Sequence, residues 1–130
     1  MMRIILAVLA ASALPLSAMA VEANADADAG GDAATGATIF NARCIACHVI
    51  GAGQKGLLAP NLRGLVGRKA AATGFSYSSA LKASGLTWTK ANLETFLAAP
   101  GRMVPGTRMV INVGDAHQRA DVIAYLATLK

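Results

Sequence analysis

Two cysteines, Cys44 and Cys47, stand three positions apart, and a histidine, His48, directly follows the second. On a helical turn residues i and i+3 share a face, so both thiols can reach one edge of a flat ligand. His48 is four positions beyond Cys44 and falls on that face, which carries its imidazole under the ligand's centre. Cys-x-x-Cys-His is the attachment pattern of a c-type haem, with thioethers to two vinyl groups and an axial nitrogen on iron. Other chemistries use the same residue types. A thioredoxin-like dithiol belongs beside a βαβ pattern, which the chain does not show. A zinc site takes about four protein ligands in spaced pairs. Only Cys44, Cys47, His48 and His117 are at hand, and Cys47 and His48 are adjacent. A Cys44–Cys47 disulfide suits an oxidising compartment but leaves His48 without a task.

A haem bound through His48 leaves a second axial position. Met103 and Met109 are the methionines beyond the N-terminal region. A thioether ligand raises the reduction potential and favours electron transfer over oxygen chemistry. The plainer role of either methionine is adaptable core filling. Ala59-Pro60-Asn61-Leu62 is extended before its proline and could set the Pro60 carbonyl behind an imidazole N–H. Most loop prolines only make turns. His117 has nothing nearby to pair with and reads as a surface residue.

These groups need elements to hold them. Asp32 can cap a helix running to about Cys44, with Ile39 and Phe40 on its apolar side. Gly36 inside that helix costs about 0.5–1 kcal/mol relative to alanine, which implies close approach by another helix. Val49 to Gly67 reads as loop. Ser78 or Ser79 caps a short helix that stops at Gly85. Thr87-Trp88-Thr89 opens another, with Leu93, Phe96 and Leu97 on one face and Pro100 closing it. Trp88, the single tryptophan, reads first as a core aromatic whose indole N–H needs a partner. Gly101 to Gly114 cannot be regular throughout, since Pro105-Gly106 is a turn signal; Met109 lies in this stretch. A last helix starts at Asp115, with Gln118 in a capping-box position and Val122, Ile123, Leu126 and Leu129 at helical spacing. Its apolar stripe needs the first helix as partner.

The chain has 130 residues, enough for one small domain. Arg3, the apolar run Ile4 to Leu16, and Ser17-Ala18-Met19-Ala20 follow the pattern of a secretory signal peptide over residues 1–20, with an uncleaved anchor as the alternative. Cleavage after Ala20 would make Val21 the mature start. Residues 21–31 are small and polar after Val21 and cannot bury enough apolar surface to offset chain entropy, so they read as a flexible leader. The domain is then residues 32–130, exported to the periplasm. It carries eleven Lys and Arg against four Asp and Glu, a net +7. Such charge steers encounter with acidic partners as well as providing solubility. It also suits nucleic acid, but an exported chain without a recognition motif excludes that partner.

In order and spacing, a set of residues now resembles the small soluble class I cytochromes c, in the branch with mitochondrial and bacterial carriers. The set is Gly36 and Phe40, Cys44 to His48, Pro60-Asn61-Leu62, Gly67-Arg68, Gly74 to Ser78, Trp88, Pro100, Pro105 to Met109, and Arg119 to Leu126. The resemblance implies an all-α cytochrome c fold: helices and loops around one covalently bound haem c, the first and last helices crossing at Gly36/Phe40 against Val122/Tyr125. It implies His48 and Met109 as axial ligands, Cys44 and Cys47 as attachment points, and Pro60 as the carbonyl behind His48. Arg68, Tyr77 and Trp88 match positions that neutralise or hydrogen-bond haem propionates, and Thr107 matches a hydroxyl on the methionine side. Ala59, Leu81 and Phe96 stand where the family often has glycine, asparagine and tyrosine. The last two remove polar groups from the methionine side, which implies a drier pocket and a potential kept high.

The implied function is that of a soluble one-electron carrier, not an enzyme. It would be a monomer that takes electrons from a quinol–cytochrome c reductase or similar donor and passes them to an oxidase or other acceptor. Contact with membrane complexes would be transient, through a haem edge ringed by lysines and arginines that meets acidic docking faces. A haem protein with an open sixth position is the alternative, and a haem-free dithiol protein a third class.

Overall fold

The structure, a computed structural model, describes residues 30–130. The expected signal peptide, residues 1–20, and most of the expected leader therefore lie outside the described residues. Five helices follow in order: α1 Ala33–Arg43, α2 Ser79–Ala83, α3 Lys90–Ala98, α4 Pro100–Met103 and α5 Ala116–Thr128. Among the described residues there is no strand, only one isolated bridge between Lys69 and Thr87. The helical class expected from sequence is the one observed.

Local chemistry sets most helix starts. The Asp32 side chain accepts the Thr35 N–H, Ser78 the Leu81 N–H, Thr89 the Asn92 N–H and Asp115 the Gln118 N–H. Each supplies an acceptor to a first-turn donor that the helix leaves unpaired. Gly85, at φ +65°, stands just beyond α2 in the left-handed conformation that closes helices without steric cost. Pro100 was expected to close α3, and it does more. It opens the single turn α4, where its fixed φ and missing N–H suit a first helical position.

The frame is the α1–α5 crossing. A Cβ on Gly36 would lie 1.9 Å from the Asp121 carbonyl oxygen, so the two backbones nearly touch there. Phe40 packs on Tyr125 with ring centroids 5.4 Å apart. The Asp32 N–H donates to Asp121 Oδ1 at 2.7 Å. Gly31, expected in the flexible leader, belongs to this contact: a Cβ there would sit 2.1 Å from the Ala120 carbonyl carbon. The packed chain thus begins before the cap residue. Around the crossing, Phe40, Leu65, Trp88, Leu93, Phe96, Leu97, Val104, Val122, Ile123 and Leu126 form one buried cluster. Cys44 and Met109 both pack against it, although 65 positions separate them in sequence.

Candidate haem site

Helix α1 ends one residue before the first cysteine. The Cys44 N–H bonds Phe40 O at 2.8 Å, and the chain then turns so that Cys47 N and His48 N reach Cys44 O at 3.1 and 2.9 Å. This turn, rather than a continuing helix, keeps Cys44, Cys47 and His48 together. Cys44 is half-buried and Cys47 exposed, and the two are not joined by a disulfide. Burial pushes the Cys44 thiol up from its ordinary range, partly opposed by the Arg43 charge.

The His48 Nδ1 lies 2.8 Å from Pro60 O. A carbonyl can only accept, so Nδ1 carries the proton and donates, and Nε2 keeps its lone pair. Burial pushes the His48 pKa below the ordinary histidine value despite the opposing Pro60 hydrogen bond. The neutral imidazole is the form that binds metal.

Asn61, beside Pro60, has a task that sequence reasoning missed. Its Nδ2 donates to Gly51 O at 2.8 Å and Gln54 O at 2.9 Å, and its Oδ1 accepts the Arg63 N–H at 2.8 Å. With the Leu62 N–H on Val49 O at 2.9 Å, these bonds close the loop that presents the Pro60 carbonyl. Asparagine in a loop signals a turn, but its long-range partners depend on the folded path.

Arg68 donates from Nη1 to Arg63 O and from Nη2 to Asn61 O, both at 2.9 Å. Its Nε is buried without a partner among the described residues. Arg68 lines a cavity of about 690 Å³ together with Lys55, Arg63, Asn61, Thr73 and Phe75. Among the described residues three cations and no carboxylate line this space, and an unpaired buried donor costs about 1–3 kcal/mol. The site therefore suits a ligand that brings its own anionic oxygens, as a haem does with its propionates. Cys44, His48 and Met109 do not line this cavity; Asn61 connects it to the Pro60 loop.

Tyr77 and Trp88 are 7 % and 6 % exposed. The Tyr77 hydroxyl bonds the Thr73 hydroxyl at 2.5 Å, so Tyr77 meets the cavity through Thr73, a residue that sequence reasoning did not select. Trp88 is pinned to Arg68 by backbone: its N–H donates to Arg68 O at 2.8 Å, and Gly67 N–H donates to Trp88 O at 2.9 Å. Its ring meets Phe96 edge-on at 4.9 Å. Phe96 is buried and Leu81 packs on the same cluster, so both positions are apolar in place.

Met109 is half-buried in the loop after α4, and its N–H reaches Thr107 Oγ1 at 3.4 Å. Met103, at the end of α4, instead lines a shallow groove with Ala83, Ser84 and Leu86. His117 is exposed on α5. No group of three or more His, Cys, Asp or Glu is clustered for a metal among the described residues. Ile45, Leu57, Leu58, Val110 and Ile111 are exposed, Leu57 at 92 %. Arg43 spends part of its guanidinium on Asn112 O at 2.8 Å.

Comparison with known proteins bears on this arrangement. The family model described as cytochrome c matches residues 33–130. A cytochrome c of Theileria annulata is 42% identical over 97 residues, 74% of this chain and 84% of its own. Cytochrome c2 of Rhodomicrobium vannielii is 44% identical over 107 residues, 81% of this chain and 85% of its own. Among solved structures, cytochrome cH from Methylobacterium extorquens is 46% identical, with a TM-score of 0.70 over 75% of this chain and 99% of that one.

Proposed function

The chain belongs to the cytochrome c family, and from that premise we propose that it is a soluble one-electron carrier whose haem is attached at Cys44 and Cys47 and ligated by His48 and Met109. As a member of that family it is an electron-transfer protein rather than an enzyme, and it carries one covalently bound c-type haem. When bound, the group supplies a one-electron iron couple.

The remaining work falls to the polypeptide. Cys44 and Cys47, on one tight turn, hold the two attachment points in register. The Pro60 carbonyl fixes the ring orientation and tautomer of His48 and makes Nε2 a stronger donor. This 2.8 Å bond is the observation that carries the proposal, because it orients an otherwise free imidazole as a ligand beside the two thiols. Met109 approaches from a loop packed on the same core. Arg68 offers its unpaired Nε to an anionic oxygen, with Tyr77 acting beside it through Thr73. Trp88 and Phe96 exclude water, and Thr107 shapes the backbone at Met109.

The domain, 32–130, would follow a signal peptide at 1–20 and a leader, giving a periplasmic protein. Among the described residues no helix is long and apolar enough to cross a membrane. The protein would act as a monomer between a quinol–cytochrome c reductase or similar donor and an oxidase or other acceptor. Its net charge would steer it toward acidic docking faces, with exposed Leu57, Val110 and Ile111 supplying apolar contact.

The test is the spectrum and gas reactivity of the purified holoprotein. The expected result is a pyridine haemochrome of one haem per chain, a sulfur-to-iron charge-transfer band in the ferric form, and no carbon monoxide binding by the reduced form at neutral pH. Ready binding of carbon monoxide would mean an open sixth position and the alternative, ligand-binding function.

A further inference from the structure

The limb of chain returning from Met109 to α5 has three successive carbonyls held by arginines. Arg43, at the end of α1, donates from Nη2 to Asn112 O at 2.8 Å. Arg119, on α5, donates from Nη1 to both Val113 O and Gly114 O at 2.8 Å. The Val113 N–H goes to Leu97 O, at the end of α3, at 2.8 Å, and Val113 is 2 % exposed. Arg119 is itself held: its Nε lies 2.6 Å from Glu94 Oε1 on α3, and its side chain is only 13 % exposed. Elements α1, α3 and α5 thus converge on three consecutive residues. On the other side of Met109, Arg108 donates to Ser76 O and Tyr77 O at 2.7 and 3.3 Å. Between these anchors Val110 and Ile111 stand 81 % and 53 % exposed.

Connecting segments on a surface usually leave their carbonyls to water. Here a guanidinium is used where its planar fork matters: Arg119 spans two adjacent carbonyls and a carboxylate at once, which a lysine ammonium on its flexible stem does poorly. Charge-assisted bonds of this kind are about twice as strong as neutral ones. The anchored limb begins three residues after Met109, so its position limits how far the thioether can move while the chain stays otherwise folded.

We infer that Arg119, held by Glu94, and Arg43 are positioning residues for Met109, setting how often its sulfur leaves the place that the proposed function gives it. The inference rests on that function, because it takes Met109 as the sixth ligand. A purely structural role is the competing account, in which Arg119 only joins α5 to α3. The two accounts differ in what a substitution changes. A structural weld alters global stability, whereas a positioning residue alters the local opening of the loop.

The experiment measures imidazole capture by ferric holoprotein, in wild type, Arg119→Lys, Glu94→Gln and Arg43→Ala, with thermal melting in parallel. At saturating imidazole the rate is limited by loss of the sulfur. Losing one hydrogen bond to a charged group corresponds to about a ten- to hundredfold change. Arg119→Lys should speed saturating capture within that range and weaken the charge-transfer band. Glu94→Gln, which leaves the guanidinium in place but loosens it, should give a smaller increase. Arg43→Ala, at an exposed site, should still fold and give about a severalfold rise, Arg43 being one exposed bond. Variants that melt lower yet capture imidazole at the wild-type rate overturn the inference while leaving the carrier function intact. A wild-type protein without the charge-transfer band, or one whose capture rate never saturates, overturns the assignment of Met109 and the inference with it.

Discussion

Replacing Gly36 by alanine tests the frame on which the site depends. The added Cβ would lie 1.9 Å from Asp121 O and 3.0 Å from the Tyr125 Cβ. Ordinary contact is about 3.5 Å or more, so α5 must retreat by roughly 1.5 Å or α1 must bend. Alanine gains about 1 kcal/mol of helix propensity. Against that, forcing a methyl into a packed contact costs about 1–3 kcal/mol, and the obstacle is backbone, which cannot rotate away. The retreat also strains the Asp32 N–H to Asp121 Oδ1 bond of 2.7 Å, worth about 1.5–3 kcal/mol as a bond to a charged group. The net expectation is a loss of about 2–3 kcal/mol, or roughly 10–20 °C in melting temperature at 4–8 °C per kcal/mol for a domain of this size. Calorimetry of the holoprotein measures it. Gly101→Ala is the control, because no described residue lies within 4 Å of a Cβ there, and helix propensity alone should make that variant slightly more stable. If Gly36→Ala melts within about 2 °C of wild type, the close backbone approach is not what holds α1 on α5.

Other outcomes are expected on the same grounds. The Asp32 carboxyl is held below its ordinary value, chiefly by the Thr35 backbone N–H and then by its hydroxyl. Its cap therefore contributes stability above the ordinary carboxylate range, and that contribution is lost as pH falls through the lowered value. Melting followed against pH should show wild type and Asp32→Asn converging at acid pH and separating near neutrality; parallel curves would refute the contribution of the cap's charge. Phe96→Tyr puts a hydroxyl where the side chain is 6 % exposed. The variant should lower both the melting temperature, by an unpaired hydroxyl's cost of about 1–3 kcal/mol, and the midpoint potential in voltammetry; no change in either contradicts a dry methionine side. Cys44→Ser/Cys47→Ser protein, unable to attach haem, should lose most helical circular dichroism, since a domain this small has little else to pack around. Retained helicity would show a self-sufficient core.

Much of the fold was legible because it is local. Asp32, Ser78, Thr89 and Asp115 each accept from a donor three residues on, so cap chemistry and helical period located the starts of α1, α2, α3 and α5. The single turn α4 was not separated from the loop, since four residues are too few to show a period. Which side chains a loop exposes was less legible still. Charge can be counted along a chain, but the exposure of Leu57, Leu58, Val110 and Ile111 depends on which side of each loop faces outward.

The site divides along the same line. Cys44, Cys47 and His48 point to their proposed chemistry within five residues, because the proposed attachment and ligation depend on spacing along one turn. Pro60 behind His48 could be anticipated from the extended backbone before a proline, but the bond closes across 12 positions only through a loop that Asn61 holds shut. The orphaned Arg68 Nε, Thr73 under Tyr77, and the arginines gripping Asn112 to Gly114 leave no pattern along the chain. Thr73 meets a hydroxyl and those arginines meet backbone carbonyls, which any sequence offers at every position. Which carbonyl meets which guanidinium is settled only when α1, α3 and α5 pack.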